Sequence, residues 1–360
     1  MRRPKTPSTL ASLEGQKGKS SWRRLMQTTA LFLFSCVLTI ALGELAVRLF
    51  IPVRNLGPTF SEYDPYYGKI LKRNFRCERI APEFSMIFST NSYGFRGPEP
   101  DHFPNHCVLF LGDSFTSGYG VNDGEEFPDL VRKGLLRDGQ ANQRIPPVVN
   151  AGLGNTGNSY WLRFLKAEGE RYEPRFVVFA FCENDFADNT REQFYFLDSS
   201  GTLRDNPAPA TQEGARVFQR IVEAIPGLTY SHLVGLAREF FSEGMMTSAK
   251  AATANTDSLS LPGDALTYKI VSDVFQFCRL HGWPAMFLTI GVEGPRLERL
   301  REISSNAGIP FLVAPLKKDR PDLYYHIDGH WNAAGHRFVS AMVLDALERY
   351  LPIEKRKEHQ

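Results

Sequence analysis

The sequence predicts an α/β protein: a three-layer α/β/α domain on a central five-stranded parallel sheet, preceded by one N-terminal transmembrane helix. Two observations predict it. From about residue 107 onward, short apolar runs alternate with stretches of helical spacing, which is typical of a parallel sheet covered on both faces. Near the N-terminus, Leu25 to Gly43 contains no formally charged residue, and these 19 residues nearly span a bilayer as a helix.

Five apolar runs are predicted strands, with helical stretches around and between them. The predicted strands are Cys107–Leu111, Pro147–Ala151, Arg175–Cys182, Ala285–Ile290 and Pro310–Leu316. The predicted helices are Glu125–Leu136, Tyr160–Tyr172, Leu266–Leu280, Arg296–Ser305 and a terminal helix from the N-cap residue Asn332 to about Tyr350. The third strand is almost uninterruptedly apolar, which favours a central position in the sheet.

Ser114 directly follows the first predicted strand, after Gly112 and Asp113. Open α/β sheets bind their ligands beyond the carboxyl ends of the strands, so Ser114 is a candidate nucleophile. The alternative interpretation is a Ser/Asp turn that caps the next helix.

A candidate base lies near the other end of the chain, in the run Asp328-Gly329-His330. A serine hydroxyl is a weak nucleophile unless a base takes its proton, and that base needs a carboxylate to orient it. His330 is the candidate base. Asp328 is the candidate orienting acid because residues two apart in extended chain point to the same side.

The chain resembles the SGNH (GDSL-type) hydrolases in four short blocks that occur in order between residue 107 and about residue 350. The blocks are Gly112-Asp113-Ser114-Phe115, Val148 to Asn155, Cys182-Glu183-Asn184-Asp185, and the segment with Asp328 and His330. The resemblance implies a flavodoxin-like sheet and a catalytic triad of Ser114, His330 and Asp328. It also implies an oxyanion hole formed by Ser114, Gly154 and Asn184, with Gly152 and Gly157 as alternatives to Gly154.

Two positions depart from the pattern of that family. Cys182 stands where the third block usually has glycine, and Asp328 lies two residues before the histidine instead of three. Membrane-anchored bacterial members of the family often carry a last block of a similar form, Asp-x-His-Trp-Asn. The α/β-hydrolase fold is disfavoured because its Gly-x-Ser-x-Gly elbow needs glycine where this chain has Thr116.

Charge is distributed unevenly along the 360 residues. Residues 1–24 carry a net charge of +6 and the remainder carries −4, within a total of +2. Positive charge ahead of the apolar segment predicts a cytoplasmic N-terminus and an exported body. With the resemblance, this implies a single-pass protein of the bacterial inner membrane with a periplasmic catalytic domain. A signal peptide cleaved near Gly43 is the alternative.

The predicted organisation has five parts: a basic tail (1–24), an anchor (25–50), a connecting segment packed on the domain (51–106), the hydrolase domain (107–352) and a charged tail (353–360). The domain contains an insertion (186–263), with predicted helices at Val217–Ile225 and Leu233–Phe241 and a polar stretch at Thr247–Ser260. Because the insertion follows Asn184 closely, we expect it to form a wall or lid over the site.

Neither a cofactor nor a metal is expected. The run His326-x-Asp328-x-His330 with His336 has ligand types that zinc accepts, but the pairing with Ser114 favours catalysis by serine. Trp331 is a candidate surface for stacking on a sugar ring. The mildly acidic body argues against nucleic acid as a partner, and the sequence identifies no protein partner.

The sequence thus predicts a serine-dependent ester hydrolase that acts outside the cytoplasmic membrane. The resemblance implies acyl, in particular acetyl, esters of cell-envelope carbohydrate as substrates. One alternative is an O-acyltransferase that uses the same triad on an exopolysaccharide. The other is a catalytically inactive glycan-binding or scaffolding domain.

Overall fold

The computed structural model describes residues 8–138, 145–207, 213–240 and 262–351. The start of the basic tail, the polar stretch Thr247–Ser260 and the charged tail 353–360 lie outside these residues.

The strands and helices are numbered in chain order. The strands are β1 (Ser61–Glu62), β2 (Ile70–Leu71), β3 (Arg76–Ala81), β4 (Phe84–Ser89), β5 (Val108–Gly112), β6 (Val148–Asn150), β7 (Phe176–Cys182), β8 (Tyr195–Leu197), β9 (Leu203–Asp205), β10 (Ala285–Ile290) and β11 (Phe311–Val313). The helices are α1 (Ser8–Phe50), α2 (Ser114–Ser117), α3 (Phe127–Asp138), α4 (Asn158–Tyr172), α5 (Asp185–Glu192), α6 (Glu213–Ala224), α7 (232–240), α8 (Pro262–His281), α9 (Gly294–Asn306) and α10 (Ala333–Tyr350). Short 3-10 turns lie at Leu228–Tyr230 and Pro321–Leu323.

The central sheet has five parallel strands in the order β11-β10-β7-β5-β6. Strand β7 is at the centre, and all seven of its residues are buried. Its side chains alternate between two cores: Phe179 packs with α4 and α8, and Val178 packs with α3 and α10. The predicted three-layer fold with helices on both faces of the sheet is therefore confirmed.

The predicted strand Pro310–Leu316 is too long at both ends. Only Phe311–Val313 pairs with β10, and these three residues are half-buried at the edge of the sheet. Pro310 and Pro315 flank the strand, and proline has no N–H to donate to a ladder.

The connecting segment packs on the domain through the hairpin of β3 and β4. Met86 and Phe88 of this hairpin are fully buried in the core that contains β5 and β7. The side chain of Arg96 is also fully buried and donates to the carbonyl oxygens of Ser117, at 2.9 Å, and Val121, at 2.6 Å. Because a buried guanidinium is costly to strip of its partners, these bonds tie the segment to the loop that follows Ser114.

One described helix is long and apolar enough to cross a membrane. It is the part of α1 from Trp22 to Phe50, whose most apolar 18-residue window has a mean hydropathy of 2.2, and most of its side chains are exposed. Its last turns contact α7, the second of the two helices predicted in the insertion.

Candidate active site

Ser114 is the first residue of α2, immediately beyond the carboxyl end of β5. Asp113 is the N-cap, and its carboxylate accepts a hydrogen bond from the N–H of Phe115 at 2.9 Å. The helix ends after one turn at Gly118, whose φ of 76° favours glycine. The turn predicted as the alternative interpretation of Ser114 is therefore present, and it holds Ser114 at the strand end.

The structure brings Ser114, His330 and Asp328 together. The Ser114 Oγ lies 2.7 Å from Nε2 of His330, and Nδ1 of the same ring lies 2.5 Å from Oδ1 of Asp328. Both contacts are hydrogen bonds. The three side chains thus form one chain of hydrogen bonds across 216 residues of sequence.

The loop with Asp328 and His330 is fixed at both ends. On its C-terminal side, Asn332 caps α10 by accepting from the N–H groups of Ala334 and Gly335, as its predicted N-cap role requires. On its N-terminal side, Glu83 accepts from three successive backbone N–H groups, those of residues 326–328, at 2.7–2.8 Å. The loop is therefore held by hydrogen bonds that do not involve the triad side chains.

Asp328 is well placed to remain a carboxylate. Burial raises its pKa, but the hydrogen bonds and charge of His330 outweigh burial and lower the pKa of Asp328 below its ordinary value. The rings of Phe115 and Tyr119 lie 4.8 and 5.1 Å from the imidazole of His330. This aromatic packing limits the rotation of the imidazole.

Of the three candidate glycines, Gly154 is the one that lies against Ser114. A Cβ built on Gly154 would be 3.2 Å from the Ser114 Cβ, whereas one on Gly152 would meet the backbone of α2 and one on Gly157 would meet Asn189. Among the described residues, the N–H groups of Ser114 and Gly154 donate to no protein acceptor. Two free backbone donors therefore flank the Ser114 hydroxyl.

Asn184 follows the end of β7, the strand next to β5 in the sheet. Its side-chain amide donates to Asp188 at 2.7 Å and lies near the carboxyl group of Asp113, whose charged form it favours. Asp113 Oδ2 in turn lies 3.4 Å from the Ser114 Oγ. The amide therefore lies on the same side of the sheet edge as the serine.

Burial leaves two of the neighbouring carboxyl groups prone to protonation. It raises the pKa of Asp113, and burial together with the charges of Asp113 and Asp188 raises the pKa of Asp185 well above its ordinary value. Asp185 Oδ2 is bonded to the amide of Asn158 at 2.9 Å. The two carboxyl groups and the amide of Asn158 form a buried polar cluster next to Ser114.

The prediction that Trp331 stacks on a sugar ring is wrong. Trp331 is fully buried, and its ring packs edge-on against Phe115 and Phe127 at centroid distances of 4.8 and 6.0 Å. Trp331 contacts Phe115, and Phe115 contacts the imidazole of His330 at a centroid distance of 4.8 Å, so Trp331 supports the triad indirectly.

The metal alternative finds no support in the geometry of the described chain. No group of three or more His, Cys, Asp or Glu side chains in it is placed to hold a metal ion. His336 is fully buried and its Nδ1 accepts from the N–H of Phe127, so it joins α10 to α3. Burial lowers the pKa of His336 to about 3, which keeps the ring neutral.

Sequence reasoning missed two side chains of the connecting segment. Glu83 holds the Asp328 loop, as described above. Lys69 donates a hydrogen bond to the carbonyl oxygen of Gly154. Both reach the site from residues that carry no recognisable motif, so only their charge and their position in an aromatic segment could have drawn attention to them.

A cavity of about 540 Å³ lies beside the Gly154 loop. It is bounded by the connecting segment, the end of α5 and helix α6 of the insertion, which forms a wall. Its lining residues are Thr59, Ser61, Glu62, Tyr63, Tyr67, Gly68, Lys69, Lys72, Asn155, Thr156, Arg191, Glu192, Phe194, Gln219, Arg220 and Glu223. The lining combines hydroxyl, amide, charged and aromatic groups, and two of its residues, Asn155 and Thr156, directly follow Gly154.

No family model matches the chain, and no curated protein matches it. The fold is similar to those of several solved structures at low identity. An acetyl xylan esterase is 13% identical with a TM-score of 0.40, over 67% of this chain and 98% of that one. The esterase EstA from Pseudoalteromonas sp. is 13% identical with a TM-score of 0.38, over 68% of this chain and 98% of the other. A lipase/acylhydrolase from Enterococcus faecalis is 15% identical with a TM-score of 0.34, over 70% and 99%.

Likenesses of this size carry no conclusion about activity. The chemistry of the site rests instead on the residues themselves. A serine hydroxyl, an imidazole, a carboxylate and free backbone donors converge at the edge of the sheet, on the four blocks in which the chain resembles SGNH hydrolases.

Proposed function

We propose that this protein is a serine-dependent ester hydrolase. The observation that carries the proposal is the chain of two hydrogen bonds from Ser114 through His330 to Asp328, at 2.7 and 2.5 Å. In the reaction, the Ser114 Oγ attacks the ester carbonyl carbon while Nε2 of His330 takes its proton. His330 then returns the proton to the leaving alcohol, and water, activated in the same way, releases the acid from Ser114.

The transition state of each step carries negative charge on the former carbonyl oxygen. The N–H groups of Ser114 and Gly154 and the amide of Asn184 are the donors we assign to this oxyanion. Preorganised donors of this kind are worth about 3–4 kcal/mol each in the transition state. Lys69 donates a hydrogen bond to the carbonyl oxygen of Gly154. Because this bond holds the Gly154 loop in place, Lys69 acts as a positioning residue.

The substrates that we propose are acyl esters, in particular acetyl esters, of cell-envelope carbohydrate. The cavity beside Gly154 supports this class because hydroxyl and amide side chains can bond sugar hydroxyls, and the rings of Tyr63, Tyr67 and Phe194 offer apolar faces. We assign the cavity to the sugar part of the substrate because its lining includes Asn155, the residue next to Gly154.

The location that we propose is the bacterial inner membrane, with α1 as a single span, the N-terminus in the cytoplasm and the catalytic domain in the periplasm. The apolar helix Trp22–Phe50 supports a span. The seven Lys and Arg residues among the first 24 support the orientation, since positive charge favours the cytoplasmic side.

The proposal is tested with the full chain in mild detergent and p-nitrophenyl acetate as substrate. Ser114→Ala removes the attacking oxygen, so p-nitrophenol release should fall to the level of the uncatalysed reaction. Ser305→Ala, which changes an exposed serine on α9, is the matched control and should hydrolyse the ester at the wild-type rate. Unchanged turnover in Ser114→Ala would refute the assignment.

Transfer of the acyl group to a sugar hydroxyl is the second candidate. The observation that favours it is the same cavity, which has room for an acceptor alcohol beside Gly154. Acetate release from an acetylated sugar, measured with and without an acceptor glycan, separates the two. Hydrolysis predicts the same acetate yield in both, and transfer predicts that acceptor lowers the acetate yield and gains the acetyl group.

A further inference from the structure

We infer that helix α6 of the insertion is a membrane-surface element, whose exposed apolar stripe enters the headgroup–acyl boundary of the bilayer that holds α1. The inference rests on the membrane anchor proposed above and goes beyond it. It assigns a second contact with lipid and fixes how the catalytic domain sits on the membrane.

The first observation is a hydrogen-bonded junction between the anchor and the insertion. The carboxylate of Glu44 accepts from the Ser231 hydroxyl at 2.7 Å and from the N–H groups of His232 and Leu233 at 2.8 and 3.0 Å. These N–H groups open helix α7, so Glu44 caps that helix and its charge favours the helix N-terminus.

The second observation is an apolar contact around the same junction. Val47, Val53 and Leu56 are buried together, and Leu233 and Leu236 of α7 pack against them. A Cβ on Gly43 would lie 3.4 Å from Leu233, so α7 contacts α1 closely there. The junction therefore joins α7 to the last turns of the anchor.

The position of Glu44 sets the depth of the junction. The 19 uncharged residues that precede it span about 28 Å as a helix, close to the thickness of the hydrocarbon core. Glu44 and the start of α7 then lie at the membrane–water boundary. Ile225, the residue after α6, precedes Ser231 by six residues, which span at most about 20 Å, so the C-terminal end of α6 lies within about that distance of the boundary.

The third observation is the amphipathic character of α6. On its inner face, Val222 is buried and Glu223 accepts from the N–H of Thr59 at 3.0 Å. Its outer face presents Val217 and Ile221, and Ile225 directly follows its last residue; the three side chains are 52, 57 and 49% exposed. These residues recur every four positions and form one apolar stripe, which is the pattern of helices that lie in a membrane interface.

Seating α6 on the bilayer has a consequence for the substrate. The same helix lines the cavity with Gln219, Arg220 and Glu223. Since a helix is about 10 Å in diameter, the cavity would open within about that distance of the membrane surface. The enzyme would then act on esters presented close to the bilayer.

The test uses full-length chain reconstituted in phosphatidylcholine–phosphatidylglycerol vesicles, with and without brominated acyl chains that quench tryptophan. Ile221→Trp and, independently, Val217→Trp place a probe on the stripe. Leu280→Trp is the control, because Leu280 is an apolar residue on α8 that is 73% exposed, more than either stripe residue. The parent protein, with its four tryptophans, gives the background.

We expect more quenching than in the parent for both stripe variants and no increase for Leu280→Trp. Stripe variants that are quenched no more than the control would overturn the inference. That result would mean that a second copy of the chain, or another part of the same chain, covers the stripe. Flotation of the same samples separates this failure from that of the anchor. A parent chain that does not float with the vesicles would refute the proposed anchor itself.

Discussion

At the scale of single residues, the site depends on where each proton is held. Asp328 is a carboxylate because His330 outweighs the effect of burial on its pKa. That carboxylate accepts from Nδ1 of His330, which leaves Nε2 free to accept the proton of Ser114. The hydrogen bond between Asp328 and His330 thus orients the imidazole for its hydrogen bond with Ser114.

Asn184→Ala tests the assignment of the side-chain donor to the oxyanion. Loss of the amide should lower kcat for p-nitrophenyl acetate by about 100- to 1000-fold, because one oxyanion donor contributes about 3 kcal/mol to the transition state. KM should change much less, since the donor acts on charge that develops only during reaction. Asn105→Ala, an exposed asparagine outside the site, should match the wild type; equal kcat for both variants would remove Asn184 from the oxyanion hole.

Glu83→Gln tests whether the carboxylate that holds the 326–328 loop supports catalysis. Burial raises the pKa of Glu83, but the three N–H groups together outweigh it and lower the pKa below its ordinary value of 4.5. The charged form therefore holds the loop at pH values above 4.5, and this contribution is lost as the pH falls through the lowered pKa. We expect Glu83→Gln to reduce kcat about fivefold at pH 7, as a loss of about 1 kcal/mol would.

The pH dependence of the kcat ratio between the wild type and Glu83→Gln is a sharper measurement than kcat at pH 7 alone. The wild-type to Glu83→Gln ratio of kcat should be largest at neutral pH and approach one below pH 4.5, because protonation removes the charge of Glu83 in the wild type. The ratio cancels ionisations that both proteins share. Glu99→Gln is the control, since Glu99 is an exposed carboxylate of the same segment that bonds Ser92 instead. A ratio that does not change with pH would contradict the role of charge.

At the scale of elements, the site depends on close approaches that only glycine allows. A Cβ on Gly152 would lie 2.4 Å from the N of Ser117, and a Cβ on Gly112 would lie 2.1 Å from the Thr116 hydroxyl. Helix α2 can therefore sit on the strand ends only because both positions lack a side chain. This contact sets the height of Ser114 above the sheet.

Alanine variants of Gly152 and Gly154 distinguish a role in stability from a role in the reaction. Gly152→Ala should lower the free energy of unfolding by about 1–3 kcal/mol, as overpacking does, and appear as a reduced Tm. Gly154→Ala places its methyl 3.2 Å from the Ser114 Cβ; it should keep the wild-type Tm but lose about tenfold in kcat through displacement of the reacting groups. Thermal unfolding and ester hydrolysis on both variants give the answer. The reverse pattern would show that Gly152, and not Gly154, lines the oxyanion site.

The sequence predicts elements whose signals are local. The strand ends before Ser114 and Asn184, the Asn332 cap and the five parallel strands all follow from patterns a few residues long. Glu83 could not be predicted because its contact with residues 326–328 joins segments about 245 residues apart. Trp331 was misassigned for a related reason: the packing of α3 and α10 decides its burial, and its sequence neighbours do not.

At the scale of the whole molecule, three parts of the chain meet at one edge of the sheet. The domain supplies the triad, the connecting segment supplies Glu83 and Lys69, and the insertion closes the cavity. The connecting segment thus contributes side chains to the candidate active site. Its removal would strip Met86, Phe88 and Arg96 from buried positions and would be expected to unfold the domain.

The proposed catalysis depends on activation of the Ser114 hydroxyl by His330. Reaction of the full chain with a fluorophosphonate probe tests it most directly, because attack by an activated serine on phosphorus expels fluoride and leaves a stable adduct. We expect one adduct, mapped by mass spectrometry to Ser114, absent in Ser114→Ala and strongly reduced in His330→Ala. A folded wild-type chain that stays unlabelled, or an adduct that persists in Ser114→Ala, would contradict it.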